Sequence, residues 1–480
     1  MRPPTRVRNA RLHPYPRVLI AGLASGTGKT SVTAGILSAL ARRKVRRAAF
    51  KCGPDFLDPQ VLRFAGDLPS VGNLDLWLTS RERMRTSFLR HAPPDGNAIT
   101  LVEGVMGLFD TSVWGTSTVD VARTLRLPIV LVVDAARSVE SVAASVRGTA
   151  SFLPPGYLSG VIVDRAARGW HSQTVRSAIE KRGRVPVLGV LPWDGEVALP
   201  EKHLGLATPE TTPGDEWNAR VKALASWATE HIDIDRLRSI AQRARSLPSP
   251  TIPPREATLL SHRTSAKVAV ASDAAFCFTY PESLEALREG GGGLRPFSPV
   301  AGDPLPPDAD SVYLPGGYPE LHAPALAANE RLRAELRGWV HDGRPLYAEC
   351  GGMMFLLDSL VDAAGKAYPM AGAFPGTSVM TTHLSGFGYG EALLRRSCLY
   401  GKKGDRVRGH LYHHSRREAS IRTAWGWTFE PRNGGSTVGD GYCKGGSLAG
   451  YLHVRMDDNP QLLQGLLEIG QRPNGAVRER

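Results

Sequence analysis

The stretch that decides the fold is Arg17–Ser31, RVLIAGLASGTGKTS. Its first six residues are apolar or small apart from the leading arginine. That is the pattern of a strand covered on both faces. Gly26-Thr27-Gly28-Lys29-Thr30-Ser31 then runs into a helical pattern, Thr30 to Arg42. Glycines let successive backbone N–H groups converge on phosphate oxygens, and a helix N-terminus adds a favourable dipole. Lys29 can reach the outer phosphates, and Thr30 offers a hydroxyl to Mg²⁺. The usual spacing puts a glycine where Leu23 stands; here Gly22 comes one residue earlier. Strand, loop and helix in this order predict nucleotide binding by Gly26, Thr27, Gly28, Lys29, Thr30 and Ser31.

Outward from this stretch, short apolar runs alternate with helical ones. Strands are expected at Ala48–Lys51, Ala98–Gly104, Pro128–Asp134, Ser159–Asp164 and Val185–Pro192, with a helix at Val139–Phe152 between them. Such alternation builds a parallel α/β sheet. Lys51, Asp55 and Asp58 follow the second strand, in FKCGPDFLDP. Glu103 ends a buried strand in LVEGVMGLFD, and Asp110 lies beyond it. Parallel sheets bind ligands at these strand ends. A carboxylate there, beside a phosphate-binding loop, holds Mg²⁺ or its water. Each carboxylate taken singly reads equally well as a surface residue or a helix cap. Together they favour phosphoryl chemistry, with Thr30, Asp55 and Glu103 as the metal set.

Residues 246–265 are rich in proline, serine and threonine and read as a linker. The α/β pattern then restarts at Lys267–Asp273, Leu294–Pro299, Ser311–Gly317 and Arg344–Cys350. The last of these passes through Glu349-Cys350-Gly351-Gly352 into another apolar run. A cysteine between a strand and a helix, followed by two glycines, reads alone as a buried thiol. It reads as a nucleophile if the turn exposes its sulfur beside backbone N–H groups. Leu314-Pro315-Gly316-Gly317 ends a neighbouring strand and can supply such an N–H.

Composition bounds the alternatives. A chain of 480 residues calls for more than one domain. No apolar run is long enough to span a bilayer, and the basic start (1–16) reads as a flexible tail without a signal peptide's apolar segment. A cytoplasmic protein without membrane association is expected. The five cysteines are scattered and form no CxxC pair, which argues against disulfides or structural zinc. Cys52, Cys277, Cys398 and Cys443 are expected to be structural. The net charge of +13 is spread along the chain without a recognition motif, so small anions rather than nucleic acid are the expected partners.

These motifs resemble a known family. The early glycine followed by five residues and GKT is similar to the loop of dethiobiotin synthetases. KCGPDFLDP, VEGVMGLFD, LPEKHLGL (199–206), LPGGYPELHA, YAECGGMM, RGHLYHHS and GYLHVRMDDNP resemble, in order, the cobyrinic and hydrogenobyrinic acid a,c-diamide synthases. The resemblance implies an α/β protein of two domains. Residues 17–245 would be a synthetase domain with a parallel P-loop sheet, and residues 266–470 a flavodoxin-like, class I glutamine amidotransferase domain. A short tail (471–480) would follow. It implies ATP, Mg²⁺, glutamine and a tetrapyrrole polycarboxylate as ligands, and leaves room for a homodimer. ATP would phosphorylate two acetate side chains in turn, and ammonia from glutamine would displace the phosphate. Lys51, Asp55 and Asp110 would serve the first reaction. Cys350 and His453 would serve the second, with Gly316, Gly317 and Gly351 around the oxyanion.

Several positions depart from the family's pattern. Class I amidotransferases carry a glutamate two residues after the histidine; here that residue is Arg455, which leaves the third place open, with Asp457 as a substitute. Leu411, His414 and His383 stand where other residues are usual. His410, His413 and His414 are crowded as in a metal cluster but are expected to be substrate-facing or structural. Asp164 stands where relatives have asparagine at the adenine edge. An aspartate only accepts hydrogen bonds, so a relaxed choice between ATP and GTP is expected. Nickel-sirohydrochlorin is an alternative ring. A partitioning-type ATPase switch is a remote alternative: Ala24 stands where those proteins carry a lysine, and they lack an amidotransferase half.

Overall fold

A computed structural model of the chain describes residues 15–199, 201–202, 205–206, 209, 214–247, 265–418 and 425–468. The chain divides into two compact units, Met1–Ile252 and Pro253–Arg480. The basic tail up to residue 14, residues 248–264 of the expected linker and the C-terminal tail lie outside the described residues, as does part of LPEKHLGL.

The first unit is built on seven parallel strands: β1 (Arg17–Gly22), β2 (Arg47–Cys52), β3 (Gly72–Leu74), β4 (Ile99–Glu103), β5 (Ile129–Asp134), β6 (Leu158–Asp164) and β7 (Val187–Val190). Their order is β3-β2-β4-β1-β5-β6-β7. β1 is central and buried along its whole length. Burying each of Val18, Leu19 and Ile20 contributes about 1.5–3 kcal/mol, which is why an apolar run rather than an alternating one appears here. Helix α1 (Lys29–Arg42) follows, with Val32, Ile36, Leu37 and Leu40 on its buried side. Helix α2 (Asp58–Ala65) opens after β2. A two-stranded hairpin, β8 (Glu201–Lys202) with β9 (Gly205–Leu206), comes after β7.

The second unit has a six-stranded sheet. Its first four strands are β10 (Lys267–Ala271), β11 (Gly293–Phe297), β12 (Ser311–Leu314) and β13 (Leu346–Glu349). The chain then leaves the sheet for two four-stranded sheets. One contains β14 (Ser359–Val361), β15 (Ala367–Pro369), β16 (Thr377–Met380) and β19 (Ser415–Glu418). The other contains β17 (Gly386–Leu394), β18 (Arg406–His413), β20 (Trp427–Pro431) and β21 (Val438–Asp440). It returns through β22 (Tyr442–Lys444) and β23 (Ser447–Gly450), giving the order β11-β10-β12-β13-β23-β22. β23 lies parallel to β13, with Glu349 opposite Gly450. That pairing brings residues far apart in sequence to one sheet edge. No described helix is long and apolar enough to cross a membrane.

Candidate active sites

In the first unit, β4 runs between β1 and β2, with Glu103 paired to Ile20 on one side and Lys51 on the other. Residues in register on adjacent strands project to the same face, so Lys51 and Glu103 meet. Lys51 Nζ donates to Glu103 Oε1 at 2.6 Å, and Thr30 Oγ1 donates to the same oxygen at 3.0 Å. Lys51 also donates to Asp58. Asp55 is less direct. One of its oxygens accepts from the N–H groups of Leu57 (2.9 Å) and Asp58 (3.0 Å), opening α2, and the other lies 3.9 Å from Lys51. Asp58, which the sequence places in the cluster without a role, is thus the nearer partner.

Burial would neutralise Lys51, but Asp58, Glu103 and Asp55 outweigh it and hold the ammonium well above its ordinary value. Burial raises Glu103. Burial first, and then the charge of Asp58, push Asp55 up to about 7. Asp58 stays low against burial because Lys51 bonds it. Glu103 Oε2 is buried with no hydrogen-bond partner among the described residues.

The loop itself explains its early glycine. A Cβ at Gly22 would stand 2.2 Å from Thr27 Oγ1. Lys29 Nζ donates to the Ala24 carbonyl at 2.7 Å, and burial, then the charge of Lys51, lowers its pKa. Gly28 has φ 84°, with Asp164 Oδ2 packed where a Cβ would go. Asp164 therefore lies against the loop backbone, its carboxyl pushed up to about 6 by burial despite neighbouring Arg165. Arg165, not singled out by the sequence, donates to the Gly26 carbonyl at 2.6 Å and pairs with Asp134 at 2.8 Å. Gly26 lies exposed at the head of the loop, and Ser31 is half-buried on α1. Asp110 is exposed and accepts from Gly107 N at 2.7 Å. It stands outside the direct Lys51 contacts, though its charge acts on Lys29.

In the second unit, β13 ends at Glu349 and Cys350 follows with φ 49° and ψ −106°. A non-glycine residue at positive φ is strained, and a short helix, Gly351–Leu356, begins at once. The turn does not expose Cys350 as expected: the residue is buried, because the glycines and His453 pack around it, and its Sγ lies 3.9 Å from the Tyr412 carbonyl. Gly316 and Gly317 line this turn: a Cβ on Gly351 would sit 2.9 Å from Gly317 N. His453 comes three residues after β23, with its backbone bridged to His410. The two imidazoles stack with centroids 4.9 Å apart.

His453 Nδ1 lies 3.1 Å from Glu349 Oε2. Arg455 engages both Asp457 oxygens, at 2.8 and 2.7 Å, and also faces Glu282. Asp457 is thus taken up by Arg455, and a carboxylate that reaches His453 among the described residues is Glu349. The only sequence signal for this was an acidic residue ending a buried strand next to the cysteine. Burial opposes charge on His453, but Cys350 and then Glu349 hold its pKa up at about 10. Burial, then the charge of His453, keeps His410 neutral. His413, bonded to the Ser415 carbonyl, is pushed down to about 4 by burial. No cluster of three His, Cys, Asp or Glu side chains suited to a metal occurs among the described residues, and all five cysteines are free thiols.

A Cβ on Gly316 would stand 2.7 Å from His453 Cε1 and 3.5 Å from Cys350 Cβ. Gly316→Ala should therefore displace the imidazole; if Cys350 and His453 serve glutamine hydrolysis, as the family resemblance implies, the rate should fall by about 10²-fold, the scale of losing one positioned general acid–base group. Steady-state glutaminase assays check this.

Residues 18–206 match the CobQ/CobB/MinD/ParA nucleotide binding domain family, and residues 267–461 match the CobB/CobQ-like glutamine amidotransferase domain family. Among curated proteins, the chain is 38% identical over 470 residues to the cobyrinate a,c-diamide synthase of Dehalococcoides mccartyi strain CBDB1, covering 95% of this chain and 98% of that one. It is 39% identical over 450 residues to the protein of the same name from Listeria monocytogenes serotype 4b, covering 92% and 97%.

Proposed function

Because the chain belongs to the cobyrinate a,c-diamide synthase family, we propose that it amidates the a and c acetate side chains of cobyrinic or hydrogenobyrinic acid, using ATP and glutamine. It is a glutamine-dependent ligase with a nucleotide-binding domain and a glutamine amidotransferase domain. What carries the finer reading is the pairing, in one chain, of a strained Cys350 beside His453 with a buried lysine–carboxylate cluster under a phosphate-binding loop.

In the first unit, Lys51 is the residue for the transition state. It is a fixed ammonium in a water-poor site, and such a charge stabilises developing phosphoryl negative charge without reorganising. Lys29 and the Gly26–Ser31 loop bind the phosphates. The buried, unpartnered Glu103 Oε2 and the adjacent Thr30 hydroxyl fit Mg²⁺, which takes one or two carboxylates and otherwise phosphate and water oxygens. Bound there, the metal would neutralise charge on the phosphoryl oxygens. Asp55 and Asp58 keep Lys51 charged and oriented, and Asp110 tunes Lys29.

In the second unit, Cys350 attacks the glutamine amide as a thiolate, and His453 passes its proton to the departing ammonia. Water then hydrolyses the thioester, releasing glutamate and restoring the thiol. Backbone N–H groups of Gly316, Gly317 and Gly351 serve the tetrahedral oxyanion. Ammonia displaces phosphate from the activated acetate, giving the amide and inorganic phosphate.

The deciding experiment incubates the protein with ATP, Mg²⁺, glutamine and either ring, and follows each carboxyl-to-amide conversion by mass spectrometry. Two successive amidations are expected. No amidated product from either ring would overturn the assignment.

A further inference from the structure

We propose that Glu349, the residue immediately before the nucleophile, completes the glutaminase constellation as the positioning carboxylate of His453, and that Tyr313 and Tyr347 fix that carboxylate. The inference rests on the reading of Cys350 and His453 as nucleophile and acid–base.

The geometry follows from the sheet. β13 ends at Glu349 and Cys350 follows at once at positive φ, so their side chains leave the strand end in different directions. β23 delivers His453 beside both. Glu349 Oε2 is 3.1 Å from His453 Nδ1, which leaves the other ring nitrogen for the sulfur. This is the relation a third member needs: it fixes the tautomer and stabilises the imidazolium without touching substrate. The residue two places after the histidine cannot do this, because Arg455 is a cation bound to Asp457.

Glu349 is itself over-determined. The Tyr313 hydroxyl donates to Oε1, and the Tyr347 hydroxyl to Oε2 at 3.3 Å. Tyr347 also meets the Tyr400 hydroxyl at 3.1 Å, and the rings of Tyr313 and Tyr347 stack with centroids 5.5 Å apart. Burial first, and the charge of Glu349 next, push both hydroxyls well above ordinary phenols. They therefore remain protonated donors. A buried carboxylate without donors would take up a proton; here two hydroxyls and an imidazolium N–H satisfy it. Packing alone would favour phenylalanines at Tyr313 and Tyr347, so the hydroxyls need another reason. Among the described residues, the titratable and charged groups seen to act on His453 are Glu349, Cys350 and the neutral His410 stacked on its ring. His413 acts from further off on β18.

The test measures glutamine hydrolysis and iodoacetamide alkylation of the Cys350 peptide against pH, read by mass spectrometry because other thiols also react. Glu349→Gln should lower kcat for glutamine by about 10²-fold, with KM changed far less. Losing the carboxylate makes the imidazolium easier to deprotonate. The thiolate–imidazolium pair is then less populated, so alkylation near neutral pH should fall about tenfold and the alkaline limb of kcat/KM should move to lower pH. Glu349→Asp should recover part of the rate. Tyr313→Phe, which removes one oxygen and keeps the ring, should lower kcat about threefold to tenfold and cost nothing further in the Glu349→Gln background. If Glu349→Gln folds with both pH profiles unmoved, the proposal is overturned. If it does not fold, an unmoved profile in Glu349→Asp and Tyr313→Phe overturns it equally. Additive loss in the double variant overturns the tyrosines' role. Wild-type protein that hydrolyses no glutamine would remove the glutaminase reading, while the alkylation profiles would still judge the Glu349–His453–Cys350 relation.

Discussion

Cys350→Ser should abolish glutamine-driven amidation, by on the order of 10⁴-fold or more, the scale seen when a hydrolase loses its nucleophile. Serine differs by one atom, so the buried turn at φ 49° should survive. The hydroxyl is a far weaker acid than the thiol, and His453 cannot keep it ionised. Ammonium salts supplied at mildly alkaline pH should restore amidation, because the reaction proposed for the first unit needs only free ammonia. Rates with glutamine and with ammonia, measured on one preparation, separate the outcomes. Unchanged glutamine-driven turnover would exclude Cys350 as nucleophile. Loss of both activities would show that the substitution reaches beyond the thiol.

The contrast between the two sites shows what a sequence carries. The first unit was readable almost strand by strand, because parallel strands covered on both faces leave continuous apolar runs. β1 appears at Arg17–Gly22 as expected, and β4 and β5 differ from expectation by single residues at their ends. β3, with three residues, is too short to leave such a run. The two four-stranded sheets between β13 and β22 were not read at all. Their strands are half-exposed, and β17 mixes glycine, aromatic and acidic residues, so neither periodicity stands out. The strand-to-helix turn at the cysteine was legible because two glycines follow it. Glu349 was not, since its partner lies 104 positions away and only the β13–β23 register joins them. Likewise, spacing alone could not tell that Asp55 caps a turn while Asp58 bonds Lys51. The contact of Arg165 with Gly26 depends on β6 lying two strands from β1.

Lys51→Met should remove amidation with either nitrogen source, by about 10³-fold or more, the scale of deleting a preorganised transition-state charge. The same change should destabilise the first unit. Lys51 is the cation bonded to Asp58 and Glu103, with Asp55 at 3.9 Å. Breaking a buried ion pair by removing one partner costs about 3–5 kcal/mol, because the remaining charges are uncompensated. Those carboxylates should respond by taking up protons, so their folded pKa values should rise above the unfolded ones. A group raised in this way stabilises the fold at low pH and loses that contribution as pH climbs through its folded pKa. Asp55 already titrates at about 7 with Lys51 present, so the loss should fall between about pH 4 and neutrality or higher. Thermal melting at about pH 5 and about pH 8 reads it: the variant's Tm should drop more than wild type's as pH rises. Alkylation of Cys350 in the same variant should keep its wild-type profile, because Lys51 belongs to the other compact unit. A variant that kept ammonia-driven turnover would remove Lys51 from the chemistry. One that melted lower at every pH without the slope would mean that the carboxylates stay ionised without it.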